Sequence, residues 1–180
     1  MNALKAVELI FNNLEKAYIE GGNIEARSNM LLGSMLAGYA FNSALLGLVH
    51  AIAHPLSAHC GLPHGVANAC GLPYVMEYNA QDPVVQKKYN EIAQAMGLNT
   101  ENLSEAEGSK KAIEAVKKLA VALEIPSLDK LGIKREQLNL LAEETLEEEV
   151  SMMTTPVDAT KDDVLKILEK AFIGEGVKIK

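Results

Sequence analysis

GLVHAIAHPLSAHCGLPHG, residues 47–65, carries all four histidines of this chain, His50, His54, His59 and His64, within fifteen residues. It sits inside a longer stretch, Ser28 to Met76, that contains no Asp, Glu, Lys or Arg, although 23% of the chain is charged. Burying an unpaired ion is costly, so a long uncharged segment reads as a dry one. His50 and His54 are four apart and fall on one face of a helix. Pro55 reads as the stop of that helix, because the residue before a proline is pushed out of the α region. Residues 57–62 then read as loop, and Pro63 suits the first turn of a new helix that sets His64 at or near its N-terminus and runs through Asn68 and Cys70 towards Pro73. Imidazoles gathered in this way are either hydrogen-bonded core groups or members of a chemical site, and spacing alone leaves both readings open.

Working outward, the pattern is helical throughout. Leu4, Val7, Ile10, Phe11, Leu14 and Tyr18 recur at helical spacing and give the first helix one apolar face. Gly21-Gly22 breaks it, and Asn23 is an N-cap for a helix over about 24–45. That helix becomes apolar all round, the pattern of a central, buried element. Charged amphipathic helices are expected over 83–96, 107–124, 134–149 and 160–173, with Lys110, Lys111, Glu114, Lys117 and Lys118 forming a solvated face. With no strand alternation, repeat or Gly-rich phosphate loop, the expected fold is all-α, one helical domain over residues 1–180.

Bulk properties narrow the partners. A net charge of −7 argues against nucleic acid and against an anionic membrane surface. Leu31 to Val49 is long enough to span a bilayer, but Ser34, Asn42 and Ser43 interrupt it, and a core helix is the expected reading. Cys60 and Cys70 form no disulfide framework, so a cytoplasmic setting is expected. The zinc-protease motif needs His-Glu-x-x-His, whereas Ala51-Ile52-Ala53 separates His50 from His54, so a hydrolytic site would lack its base.

Residues 47–65 resemble the signature of the iron-containing (group III) alcohol dehydrogenases, G-x-x-H-x-x-x-H-x-x-G-x-x-x-x-x-P-H-G, with Ser57 where the pattern has Gly. The likeness continues through Asn68-Ala69 and Leu72 to Asn79, and back through Glu25-Ala26-Arg27 and Ala40-Phe41-Asn42. The resemblance implies the helical C-terminal domain of that family. By it, His50 and His64 would be two of four ligands of a divalent metal, Fe²⁺ or Zn²⁺. His54 would be a catalytic group beside nicotinamide and alcohol, and Phe41 would line the substrate pocket. The implied reaction is hydride transfer between a primary alcohol and NAD(P)⁺. Near Ser151 the chain departs from the family's D-x-C-T-x-x-N-P-R, reading Glu149-Val-Ser-Met-Met-Thr-Thr-Pro156-Val.

In the family the other two ligands come from an upstream D-x-x-x-H helix that follows a nucleotide-binding domain. Here no His precedes His50 and the first Asp is Asp82. The expectation is therefore a half-complete metal site, inactive without a nucleotide-binding domain supplied by a separate or split-gene partner. The alternative is a non-catalytic helical module, derived from that domain, that oligomerises or binds metal. Either reading expects a homo-oligomer.

Overall fold

The computed structural model describes residues 1–177. In chain order the α-helices are α1 (Asn2–Ile19), α2 (Ile24–Ala44), α3 (Leu48–Cys60), α4 (His64–Asn79), α5 (Pro83–Ala95), α6 (Glu105–Ala122), α7 (Leu138–Glu147), α8 (Glu149–Met153) and α9 (Lys161–Ile173). A 3-10 turn, Arg135–Gln137, precedes α7, and no strand occurs among the described residues, so the fold is all-α as expected. The chain divides into two compact units. One joins Met1–Ala44 to Ala80–Leu123; the other joins Leu45–Asn79 to the segment from Glu124 onward.

In the first unit α1 packs on α2 and α5 on α6. Asn23 caps α2 as the sequence suggests, its Oδ1 accepting from the Ala26 amide at 3.0 Å. Asp82 caps α5 with Pro83 in the first turn, and Ser104 and Glu107 close a capping box on α6. Gly33 lets the first pair come close, since a Cβ there would lie 2.8 Å from Cγ1 of Ile10.

Helix α2 corrects one expectation. It is not a buried central helix: only Ala26 and Gly33 are buried, while Leu31 is 75% exposed, Met35 50% and Tyr39 61%. The reason is an asymmetry in the physics. Burying a lone charge is prohibitive, whereas exposing a leucine is only mildly unfavourable, so absence of charge does not imply burial. Within its unit α1 covers one side of α2, and the rest of its apolar surface stays open.

The second unit holds the main core, built from Leu48, Ile52 and Leu56 of α3, Tyr74 and Val75 of α4, Leu138 and Leu141 of α7, and Val164 and Leu168 of α9. Here α3 runs through Pro55 to Cys60, so the expected stop at Pro55 and the expected loop over 57–62 are both replaced by helix. Pro55 removes one donor, the amide that would bond the Ala51 carbonyl, and a single lost bond is outweighed by burial of Ile52 and Leu56 on the same helix. Gly61 is the stop. At φ 68° it takes the left-handed conformation and its amide bonds back to the Leu56 and Ser57 carbonyls. Likewise α4 starts at His64, as Pro63 predicts, but continues past the buried Pro73 to Asn79. The helix expected over 134–149 is broken at Glu148, where φ −74° and ψ 65° end α7 and start α8.

Among the described residues no single helix is long and apolar enough to cross a membrane. Cys60 and Cys70 are both free. Cys70 is buried, its thiol donating to the Pro126 carbonyl at 3.2 Å, and burial pushes it up to about 11; Cys60 is half-buried and raised in the same direction. Only the thiolate is nucleophilic, so in the native protein iodoacetamide is expected to modify Cys60 well before Cys70. An upward shift of two pH units leaves about 100-fold less Cys70 thiolate near neutrality than an ordinary thiol has. Its labelling rate should climb about tenfold per pH unit towards that value. Peptide mass spectrometry after timed labelling checks this, and equal rates at the two cysteines would refute it.

Candidate metal centre

Three of the four imidazoles converge. His50 and His54 lie one turn apart on α3, and the turn through Gly61 and Pro63 brings back α4 with His64 as its first residue. Ring centroids are 5.1 Å apart for His50 and His64, 5.6 Å for His54 and His64, and 6.2 Å for His50 and His54. Each ring offers one ligand atom, and the three atoms all lie within 4.8 Å of one another. The expected dry pocket is not what forms: His50 and His54 are partly buried and His64 is exposed, so one side of the cluster meets solvent.

Each ring has a different environment. His50 Nδ1 is buried with no hydrogen-bond partner. Burial first, then the neighbouring His64 and His54, holds the His50 imidazole below its ordinary range, which keeps it neutral, the form that can bind a cation. The Asn68 side-chain amide lies 3.1 Å from His64 Nε2 and donates to the His64 carbonyl at 2.9 Å. His54 Nδ1 lies 2.7 Å from Glu148 Oε2. The remaining imidazole, His59, points elsewhere and pairs with Glu144. A cleft of about 300 Å³ beside the cluster is lined by His54, Pro55, Ala58, Glu144, Glu147 and Glu148.

Phe41, the fourth residue singled out in the sequence, lies on α2 in the first unit, with half its surface exposed. Ser151 is buried on α8, its carbonyl accepting from the Thr155 hydroxyl at 2.9 Å. Glu144 and Glu148 went unnoticed in the sequence. They sit in an acidic run that resembles any solvated helix face, 94 residues from His54 in the case of Glu148, and no local spacing marks them.

The model of the Fe-containing alcohol dehydrogenase family, C-terminal, matches residues 1–172. This chain belongs to the iron-containing alcohol dehydrogenase family. Among its curated relatives, alcohol dehydrogenase 4 of Saccharomyces cerevisiae is 41% identical over 171 residues, covering 94% of this chain and 43% of the yeast protein. The 1,3-propanediol dehydrogenase of Citrobacter freundii is 40% identical over 172 residues, covering 94% of this chain and 43% of that protein. A crystal structure of a 1,3-propanediol oxidoreductase superposes with a TM-score of 0.90 at 39% identity, covering 95% of this chain and 44% of the other. The chain thus spans less than half the length of the dehydrogenases it matches. The matched region is the family's C-terminal, helical domain.

Proposed function

We propose that this chain provides the metal- and substrate-handling half of an NAD(P)-linked, iron-dependent alcohol dehydrogenase that interconverts primary alcohols and aldehydes. The observation that carries the reading is the imidazole cluster, three ligand atoms within 4.8 Å of one another. The donors suit a divalent cation: neutral imidazole is a good ligand for Fe²⁺ or Zn²⁺, and His50 Nδ1 is a buried nitrogen with no partner in the protein. His50 and His64 would hold the ion. When bound, a divalent cation supplies Lewis acidity that favours the alkoxide form of the alcohol. His54 takes up or returns the hydroxyl proton.

Two imidazoles are half of a four-ligand site, so the remaining ligands and the nucleotide-binding surface come from the part of the relatives this chain does not match. Alone, the chain binds a cation weakly and does not turn over. The exposed apolar residues of α2 support a covering partner, the nucleotide-binding half or a second copy. The free Cys60 and Cys70 support a reducing, cytoplasmic setting.

Titration of the purified chain with Zn²⁺, followed by calorimetry, tests the reading. Even a residue that merely supports a ligand contributes about 10–100-fold to affinity, so His50→Ala and His64→Ala should each weaken binding by more than about 100-fold. His59→Ala should leave it unchanged. Equal affinity in all three variants would overturn the metal assignment, and robust turnover of a primary alcohol by the chain alone with NAD⁺ or NADP⁺ and Fe²⁺ would overturn its dependence on the unmatched half.

A further inference from the structure

The three clustered imidazoles are not equivalent. His50 Nδ1 has no partner and His64 Nε2 faces the Asn68 amide, whereas His54 Nδ1 faces a carboxylate, Glu148 Oε2, at 2.7 Å. A carboxylate is acceptor-only when ionised, so the hydrogen of this contact belongs to the imidazole. In a neutral ring this contact selects the Nδ1–H tautomer, which leaves the lone pair on Nε2.

Nor is the contact an isolated side-chain orientation. His59, five residues further along α3, pairs with Glu144, four residues before Glu148. Two His–Glu contacts therefore set α3 against α7 and the α7–α8 junction. The break at Glu148 matters here as well. Its backbone, at φ −74° and ψ 65°, is not helical, and the residue stands at the joint between α7 and α8. Beneath it Thr145 is fully buried, which packs the last turn of α7, and its hydroxyl donates to the Leu141 carbonyl of the same helix at 2.7 Å. Glu148 is thus presented from the end of a packed helical turn.

We infer that Glu148 is a positioning residue of this site: it holds His54 as the Nδ1–H tautomer and leaves Nε2 to accept the hydroxyl proton of the alcohol. An outer carboxylate on the far nitrogen is the usual means of fixing the tautomer and orientation of a working histidine. The use made of Nε2 rests on the function proposed above; the tautomer does not, and the two are tested separately.

The test is ¹⁵N NMR of the histidine-labelled chain at about pH 8, where a free imidazole is neutral, with His54→Asn used to assign the signals. His54 in the unmodified protein should show mainly the Nδ1–H tautomer. In Glu148→Ala that species should fall to a minority. In Glu148→Gln it should persist, because the amide oxygen can accept the same N–H. Far-ultraviolet circular dichroism of each variant shows that the helices are retained, and the Gln variant keeps the size of the side chain. A predominant Nε2–H tautomer in the unmodified protein, or an unchanged tautomer in Glu148→Ala, would overturn the inference. Zn²⁺ titration of His50→Ala and His64→Ala reads the metal assignment independently. Unchanged Zn²⁺ affinity there, beside a Glu148-dependent tautomer, would remove the assigned use of Nε2 and leave the positioning of His54 intact.

Discussion

Replacing His54 by alanine, in an enzyme that joins this chain to the unmatched part of a relative, is expected to lower kcat by about 10²–10⁴-fold, the usual contribution of a positioned acid–base group. The expectation follows from the division of labour among the rings. His50 and His64 are 5.1 Å apart and form the tightest pair, while His54 has its Nδ1 engaged by Glu148 and so has one nitrogen left for chemistry. Metal content should therefore stay at the level of the unsubstituted enzyme. His59→Ala, on the same helix but paired with Glu144, should keep kcat within a few-fold. Steady-state kinetics with metal analysis of the same samples decides the matter. Loss of metal together with activity would make His54 a third ligand, and a kcat reduced by less than about tenfold would leave it no proton-handling role.

Much of this was legible in the sequence, for identifiable reasons. The histidine spacing and the Pro63-His64-Gly65 corner gave the family and the three converging rings, because a helix and one turn bring local residues together without help from the rest of the chain. The cap at Asn23 is likewise local chemistry. The errors came where tertiary packing overrides local preference. Pro55 and Pro73 lie inside helices because their neighbours are buried, which no local rule reports. The exposure of α2 is not legible in its sequence, because missing charge is no evidence of burial. Glu148 was invisible because its partner is 94 residues away.

The second large effect concerns the scaffold. Leu56→Ala is expected to destabilise the second unit by about 2–5 kcal/mol, the cost of deleting a fully buried leucine and leaving a cavity. Set against a total stability of about 5–15 kcal/mol for an ordinary domain, that is a large share. Leu56 lies two residues beyond His54 on α3 and belongs to the main core cluster, so the helix that carries the rings loses its anchor. Leu31→Ala provides the contrast. Its side chain is 75% exposed, and the change should stay within about 0.5 kcal/mol. Urea denaturation followed by circular dichroism measures both. A cost below about 1 kcal/mol for Leu56→Ala would mean that α3 is held by something other than its packed face.

The link between His54 and Glu148 also bears on the order in which the site can assemble. The rings of His50, His54 and His64 meet across a segment of only fifteen residues, and one helical corner suffices to gather them. Glu148 closes a loop of 94 residues. By the logarithmic dependence of closure entropy, that costs about 1.7 kcal/mol more than joining His50 to His64. During folding the imidazoles can therefore gather while α7 is still undocked, with the tautomer of His54 unspecified. Its orientation depends on docking of the distant acidic segment.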